Sequence, residues 1–135
     1  MPYIYSKVAD LKDKAKVGSH QCVALVQFYA GAPHTSCWEA GASVLGNKDI
    51  LPGTAIATFV KGRYLSMPHG NHAALFVRHA VNGFWVMDQW IDQPDKTVRP
   101  ISERLIPALK GKRQRSGSWP NASNNANAFS IIETR

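Results

Sequence analysis

Two apolar runs, His72-Ala73-Ala74-Leu75-Phe76-Val77-Arg78 and Phe84-Trp85-Val86-Met87-Asp88-Gln89-Trp90, flank the pair Asn82-Gly83. Asparagine and glycine accept the positive φ values of tight hairpin turns, so this stretch predicts two antiparallel strands. An isolated hairpin cannot bury enough apolar surface to be stable, and further strands must complete the sheet. Residues 53–60 alternate in a strand-like period and end at Lys61-Gly62, and residues 128–133 form a last short apolar run.

The first third of the chain has a different rhythm. Residues 19–30 predict a helix, with Ser19 as cap, Gly31 as stop and Val23, Leu25, Val26 and Phe28 to bury. Residues 36–45 predict a second, short helix, because Ser36 and Glu39 have capping-box spacing and Gly46-Asn47 follows; Trp38 is then a packing residue. Residues 93–127 are rich in proline, serine, asparagine and basic side chains, and predict loop with a helical turn around 102–109. Helices followed by an antiparallel meander make an α+β class, and 135 residues without a linker suit a single domain.

The composition excludes several classes. With 44% hydrophobic and 19% charged residues the chain is neither disordered nor a coiled coil. No apolar stretch approaches the ~20 residues of a membrane span, so no membrane insertion is expected. No basic segment followed by a long apolar one opens the chain, which predicts synthesis in the cytoplasm without a cleavable signal. The net charge of +7 favours polyanions such as nucleic acid or cell wall without choosing between them. The run Lys110-Gly111-Lys112-Arg113-Gln114-Arg115 reads as a solvated loop.

The chemistry centres on Cys22, in Gly18-Ser19-His20-Gln21-Cys22-Val23-Ala24-Leu25-Val26-Gln27. Unpaired N–H groups and the positive end of the dipole at a helix start stabilise a thiolate, which makes Cys22 a candidate nucleophile, with a small buried hydrophobe as the alternative. A catalytic Cys22 stays free, and Cys37 is then expected to be an unpaired buried thiol beside Trp38.

A nucleophilic thiol needs a base and an orienting group. His72, which opens an otherwise apolar strand after Gly70-Asn71, is the candidate base, and Asp88 on the partner strand is the candidate orienting residue. Register stands in the way. A two-residue Asn82-Gly83 turn pairs Asp88 with Val77 and turns it away from His72. A three-residue loop over 81–83 pairs it with Phe76 and brings Asp92 opposite His72. Asp92 therefore remains a rival and Gln89 a weaker one, with a bulge or twist left to decide. Gln21 is a candidate donor to an oxyanion, together with the N–H of Cys22. His69 and His72 lie three apart in a segment without a cysteine pair or acidic cluster, so no metal and no cofactor is expected.

These residues carry a resemblance. The block from Gly18 to Gln27, the strand Gly70-Asn71-His72-Ala73-Ala74-Leu75-Phe76-Val77 and Val86-Met87-Asp88-Gln89-Trp90 are similar to the NlpC-type and CHAP-type cysteine amidases of peptidoglycan, above all the type VI secretion amidase effectors. The resemblance implies a papain-like fold with N-terminal helices on an antiparallel sheet, Cys22 as nucleophile, His72 as base and acid, and Asp88 as the residue orienting it. It further implies hydrolysis of a peptidoglycan stem, with the D,D crosslink between meso-diaminopimelate and D-alanine favoured over the bond between γ-D-glutamate and meso-diaminopimelate. The partners implied are peptidoglycan, the type VI secretion machinery and a cognate immunity protein, with delivery to a target bacterium's periplasm and no nucleic acid.

Overall fold

A computed structural model describes residues 2–65, 67, 70–91 and 99–134. Its α+β architecture is one α-helix on a six-stranded antiparallel sheet. The helix is α1 (Cys22–Ala30), and the strands are β1 (Trp38–Ser43), β2 (Ala55–Thr58), β3 (Ala73–Ala80), β4 (Gly83–Asp88), β5 (Ser102–Pro107) and β6 (Phe129–Thr134). Their order across the sheet is β1-β6-β2-β3-β4-β5. The chain's last strand is thus inserted between β1 and β2, while β2 to β5 follow sequence order.

Both faces of the sheet are covered, which is why β2 and the first half of β3 read as continuous apolar runs rather than alternating ones. On one face α1 lies against β3, burying Leu25 and Val26 over Ala55, Ala57, Ala73, Leu75 and Met87. On the other, Ile56, Ala74, Phe76, Phe84, Val86 and Ile106 pack with Phe129 under Ala122, Ala126 and Ala128. The segment before β6, expected as loop, supplies this second lid.

Helix α1 begins at Cys22 rather than at residue 19. Gln21 is its cap in extended conformation, and Ser19 Oγ instead accepts the Gln21 N–H at 3.4 Å. At the other end Gly31 adopts a left-handed conformation (φ 75°) and donates to the carbonyls of Val26 and Gln27, the stop the sequence predicts.

Two predicted helical segments are strands. Within 36–45 a single 3-10 turn, Thr35–Cys37, is capped by the His34 ring accepting the Ser36 N–H at 3.1 Å, and β1 follows at once. The pairs Trp38↔Thr134, Glu39↔Glu133 and Ala40↔Ile132 satisfy the backbone that a helix would otherwise satisfy. Gly41 belongs to this contact, since a Cβ there would lie 2.7 Å from Glu133 Cγ. Trp38 is buried as expected, but its neighbour Cys37 faces outward, so the thiol predicted to be buried is exposed and free. Around 102–109 the expected helical turn is β5, paired with β4 over six residues; its single fully buried side chain, Ile106, leaves too faint an apolar pattern to read.

The β3–β4 hairpin turns at Val81-Asn82, one residue before the expected pair, with Ala80 opposite Gly83 and Asn82 at φ 59°. A bulge then places Val77 between the pairs Phe76↔Val86 and Arg78↔Trp85. Continuing from Leu75↔Met87, Asp88 stands abreast of Ala74, not of Val77 or Phe76 as either simple loop would have it. The bulge thereby puts Asp88 on the face of His72.

Gly53 joins the N-terminal segment to the sheet. It has φ 89°, it donates to Phe76 O at 2.7 Å, and a Cβ on it would lie 1.9 Å from Tyr5 O. Gly53→Ala is expected to lower the unfolding free energy by roughly 2–4 kcal/mol, combining left-handed strain with overpacking. Urea unfolding checks this as a lower midpoint at unchanged slope.

Candidate active site

Cys22 occupies the first position of α1, and no side chain caps that end. The loop before it passes through left-handed Gly18 (φ 58°) and His20 (φ 69°). The thiol is half-buried and free, with the Tyr64 hydroxyl 3.9 Å from Sγ. The His72 side chain and the Ala73 backbone N–H lie close enough to favour its charged form.

His72 precedes β3 and is 6% exposed. Its backbone is tied to β2, the N–H donating to Thr58 Oγ1 at 3.0 Å and the carbonyl accepting the Thr58 N–H at 3.0 Å. Ring Nε2 lies 2.7 Å from Asp88 Oδ2, which leaves Nδ1 as the nitrogen for the Cys22 thiol. Asp88 is 0% exposed, and its Oδ2 also accepts from Arg104 Nε at 2.7 Å. Oδ1 has no hydrogen-bond partner among the described residues.

Burial and pairing oppose each other at this site. Burial pushes the Cys22 thiol up, yet the hydrogen bond and charge of His72, the Ala73 N–H and the Tyr64 hydroxyl outweigh it and hold the thiol below its usual value. Burial pushes His72 down, but Asp88 and Cys22 raise it from 6.5 to about 9. The pair therefore favours thiolate and imidazolium. Tyr64 is pushed up by burial and by the thiolate beside it, and so remains a hydroxyl that donates to sulfur.

The other predicted residues divide. Gln21 is exposed and lines the Cys22 cavity. Gln89 does not orient His72. It is 1% exposed and clamps the loop before Cys22, accepting from Val17 N–H at 3.0 Å and donating to Val17 O at 3.0 Å and Gln21 O at 2.8 Å. Asp92 and His69 lie outside the described residues. No cluster of three or more His, Cys, Asp or Glu side chains suited to a metal occurs among the described residues. Tyr64 and Arg104 escape sequence reasoning, because nothing local distinguishes a tyrosine after a turn or one arginine among many.

A cavity of about 560 Å³ opens over Cys22 between Gln21, Thr35, Tyr64 and Trp90. A second, of about 480 Å³, lies beyond His72 among Arg104, Ser123 and Asn124. The two share Asn71, His72 and Trp90, so a groove crosses the site on both sides of the imidazole.

Residues 5–132 match the family model described as domesticated amidase effector 2. The chain belongs to this family. It is 47% identical over 135 residues to the type VI secretion amidase effector 2 protein of Salmonella typhi, covering 98% of this chain and 100% of that one. The domesticated amidase effector 2 of Ixodes scapularis is 38% identical over 96 residues, covering 67% of this chain and 60% of its own length. A solved structure of type 6 secretion amidase effector 2 superposes with a TM-score of 0.91 at 44% identity, covering 98% of this chain and 95% of that one.

Two outcomes follow from the geometry. Asp88→Asn is expected to drop the His72 titration from about 9 towards 6.5 and to raise that of Cys22, which ultraviolet thiolate absorbance in a Cys37→Ser background and histidine NMR would read. Gln89→Ala leaves the Val17 and Gln21 backbone groups unpaired and is expected to cost about 2 kcal/mol in urea unfolding. It should also slow alkylation of Cys22.

Proposed function

We propose that this chain is an antibacterial type VI effector that hydrolyses an amide bond in peptidoglycan stem peptides, with Cys22 as nucleophile, His72 as acid and base, and Asp88 as the residue that orients the imidazole. The observation that carries this reading is the Asp88-bound imidazole of His72 at a free thiol on an uncapped helix start. The amidase effectors to which the chain is similar supply the substrate class.

The reaction follows from the groups present. The Cys22 thiolate attacks the scissile carbonyl carbon, and the Cys22 N–H and the Gln21 amide stabilise the oxyanion. His72 Nδ1 protonates the amine nitrogen as the C–N bond breaks, leaving a thioester on Cys22. His72 then takes a proton from water as its oxygen attacks the thioester, and the carboxylic product and thiolate are released. The favoured bond is the D,D crosslink between meso-diaminopimelate and D-alanine, with γ-D-glutamyl-meso-diaminopimelate as the alternative. No cofactor takes part. A net charge of +7 favours approach to an anionic wall. The chain acts as one domain, is delivered through the type VI machinery to the periplasm of a target cell, and is matched by an immunity protein that plugs the groove. No helix of the described residues is long and apolar enough to cross a membrane.

Digestion of meso-diaminopimelate peptidoglycan by the wild type and Cys22→Ala, with mass spectrometry of the fragments, tests the proposal. Loss of crosslinked dimers that requires Cys22 is the expected result, whereas shortened stems move the cut to the γ-D-glutamyl bond. Absence of Cys22-dependent products under reducing conditions leaves a basic wall-binding or nucleic-acid-binding module as the better account. The pH profile of kcat/KM should be bell-shaped, rising as Cys22 ionises below the ordinary thiol range and falling near pH 9 as His72 loses its proton.

A further inference from the structure

We propose that Arg104 is a positioning residue for His72, acting through Asp88 so that the imidazole can give up its proton without stranding a buried carboxylate. This rests on the reading of Cys22 and His72 given above. Arg104 lies opposite Val86 in the β4–β5 ladder and reaches Asp88 diagonally on the same face. Its Nε donates at 2.7 Å to the oxygen that already holds His72 Nε2 at 2.7 Å.

The guanidinium is held from several sides. Nη1 donates to Asn124 Oδ1 at 3.0 Å and Nη2 to Ser123 O at 3.3 Å, while the guanidinium carbon sits 5.4 Å from the centre of the Trp90 ring. A lysine ammonium cannot reproduce such a planar fork, and its loss would free the second lid from Asp88.

The chemical need arises in the acylation step. His72 carries its proton while the thiolate attacks, then passes it from Nδ1 to the departing amine and becomes neutral. Asp88 is 0% exposed, and a buried carboxylate with no cation beside it is strongly disfavoured. With His72 as its sole partner, the carboxylate would hold the imidazole proton back and weaken His72 as an acid. Arg104 keeps a positive charge on the same oxygen throughout, so the proton can leave.

The groups facing His72 set the balance. Cys22 approaches from α1 and Asp88 from β4, while Tyr64 reaches the thiol from the segment before β3. Phe129 of β6 offers an uncharged ring edge, and Thr58 of β2 bonds only the His72 backbone. Arg104 of β5 enters through the Asp88 oxygen, and Arg99 lies over the Trp90 ring.

The test compares wild type, Arg104→Met and Arg104→Lys in two readouts: NMR titration of His72 without substrate, and the pH dependence of kcat and KM on peptidoglycan fragments. In Arg104→Met the His72 titration should move up by about one pH unit. Its kcat should fall about tenfold with KM within about twofold. Arg104→Lys should restore most of the titration. Should Arg104→Met fail to fold, Arg104→Gln, which keeps a hydrogen bond but no charge, is read in the same way. An unmoved His72 titration in an active enzyme, equal behaviour of the Lys and Met variants, or a change confined to KM overturns the role of Arg104 alone. A wild type without Cys22-dependent cleavage overturns the amidase reading, and this role with it.

Discussion

One oxygen of a buried carboxylate, Asp88 Oδ2, receives His72 and Arg104 at the same distance, and three strands must agree in register for it to do so. The agreement depends on Val77. Without the bulge there, a one-residue slip would send Asp88 to the face of α1 and leave His72 opposite an apolar side chain. Because both faces of the sheet are packed, either slip would also expose apolar side chains and bury polar ones. The core that stabilises the fold therefore also enforces the register of the site.

Cys22 is positioned less by its own helix than by what grips the turn before it. A helix of nine residues is too short to be stable alone, so α1 holds its place through Leu25 and Val26 on β3. Its start is held by Gln89, whose amide bonds the loop backbone at Val17 and Gln21 much as a strand would. The end of β4 thus supplies the carboxylate behind the imidazole, and the residue just after it supplies the amide that holds the cysteine loop. Adjacent residues of a strand point to opposite faces, so consecutive positions serve the two halves of the site.

Electrostatically the site is a chain of alternating charge: thiolate, imidazolium, carboxylate, guanidinium. Burial penalises the charged forms of Cys22 and His72, and their neighbours offset the penalty, which is how His72 can stand near 9 although desolvation drives it down. This carries a stability consequence. The contribution from the raised His72 is fully present below pH 6.5 and is lost as pH rises through about 9.

Much of this was legible in the chain. The hairpin signal at Asn82-Gly83, the apolar periods of α1, β2 and β6, the Gly31 stop, and the thiol at a helix start all follow from local φ preferences and side-chain spacing. They also suffice to nominate Cys22 and His72, while the residues alone left Asp88 and Asp92 as rivals and only the family resemblance favoured Asp88. What the sequence could not decide depended on partners distant in the chain. Residues 36–45 carry helix-capping spacing, yet β6, some ninety positions later, draws them into β1. Residues 102–107 have no strong pattern until β4 stands beside them. The face of Asp88 turned on one bulged residue, and the places of Tyr64, Gln89 and Arg104 depended on which elements arrive next to them. Local sequence sets what each segment prefers; the packing of the whole sheet decides which preference survives, because only there are backbone hydrogen bonds and buried charges satisfied together.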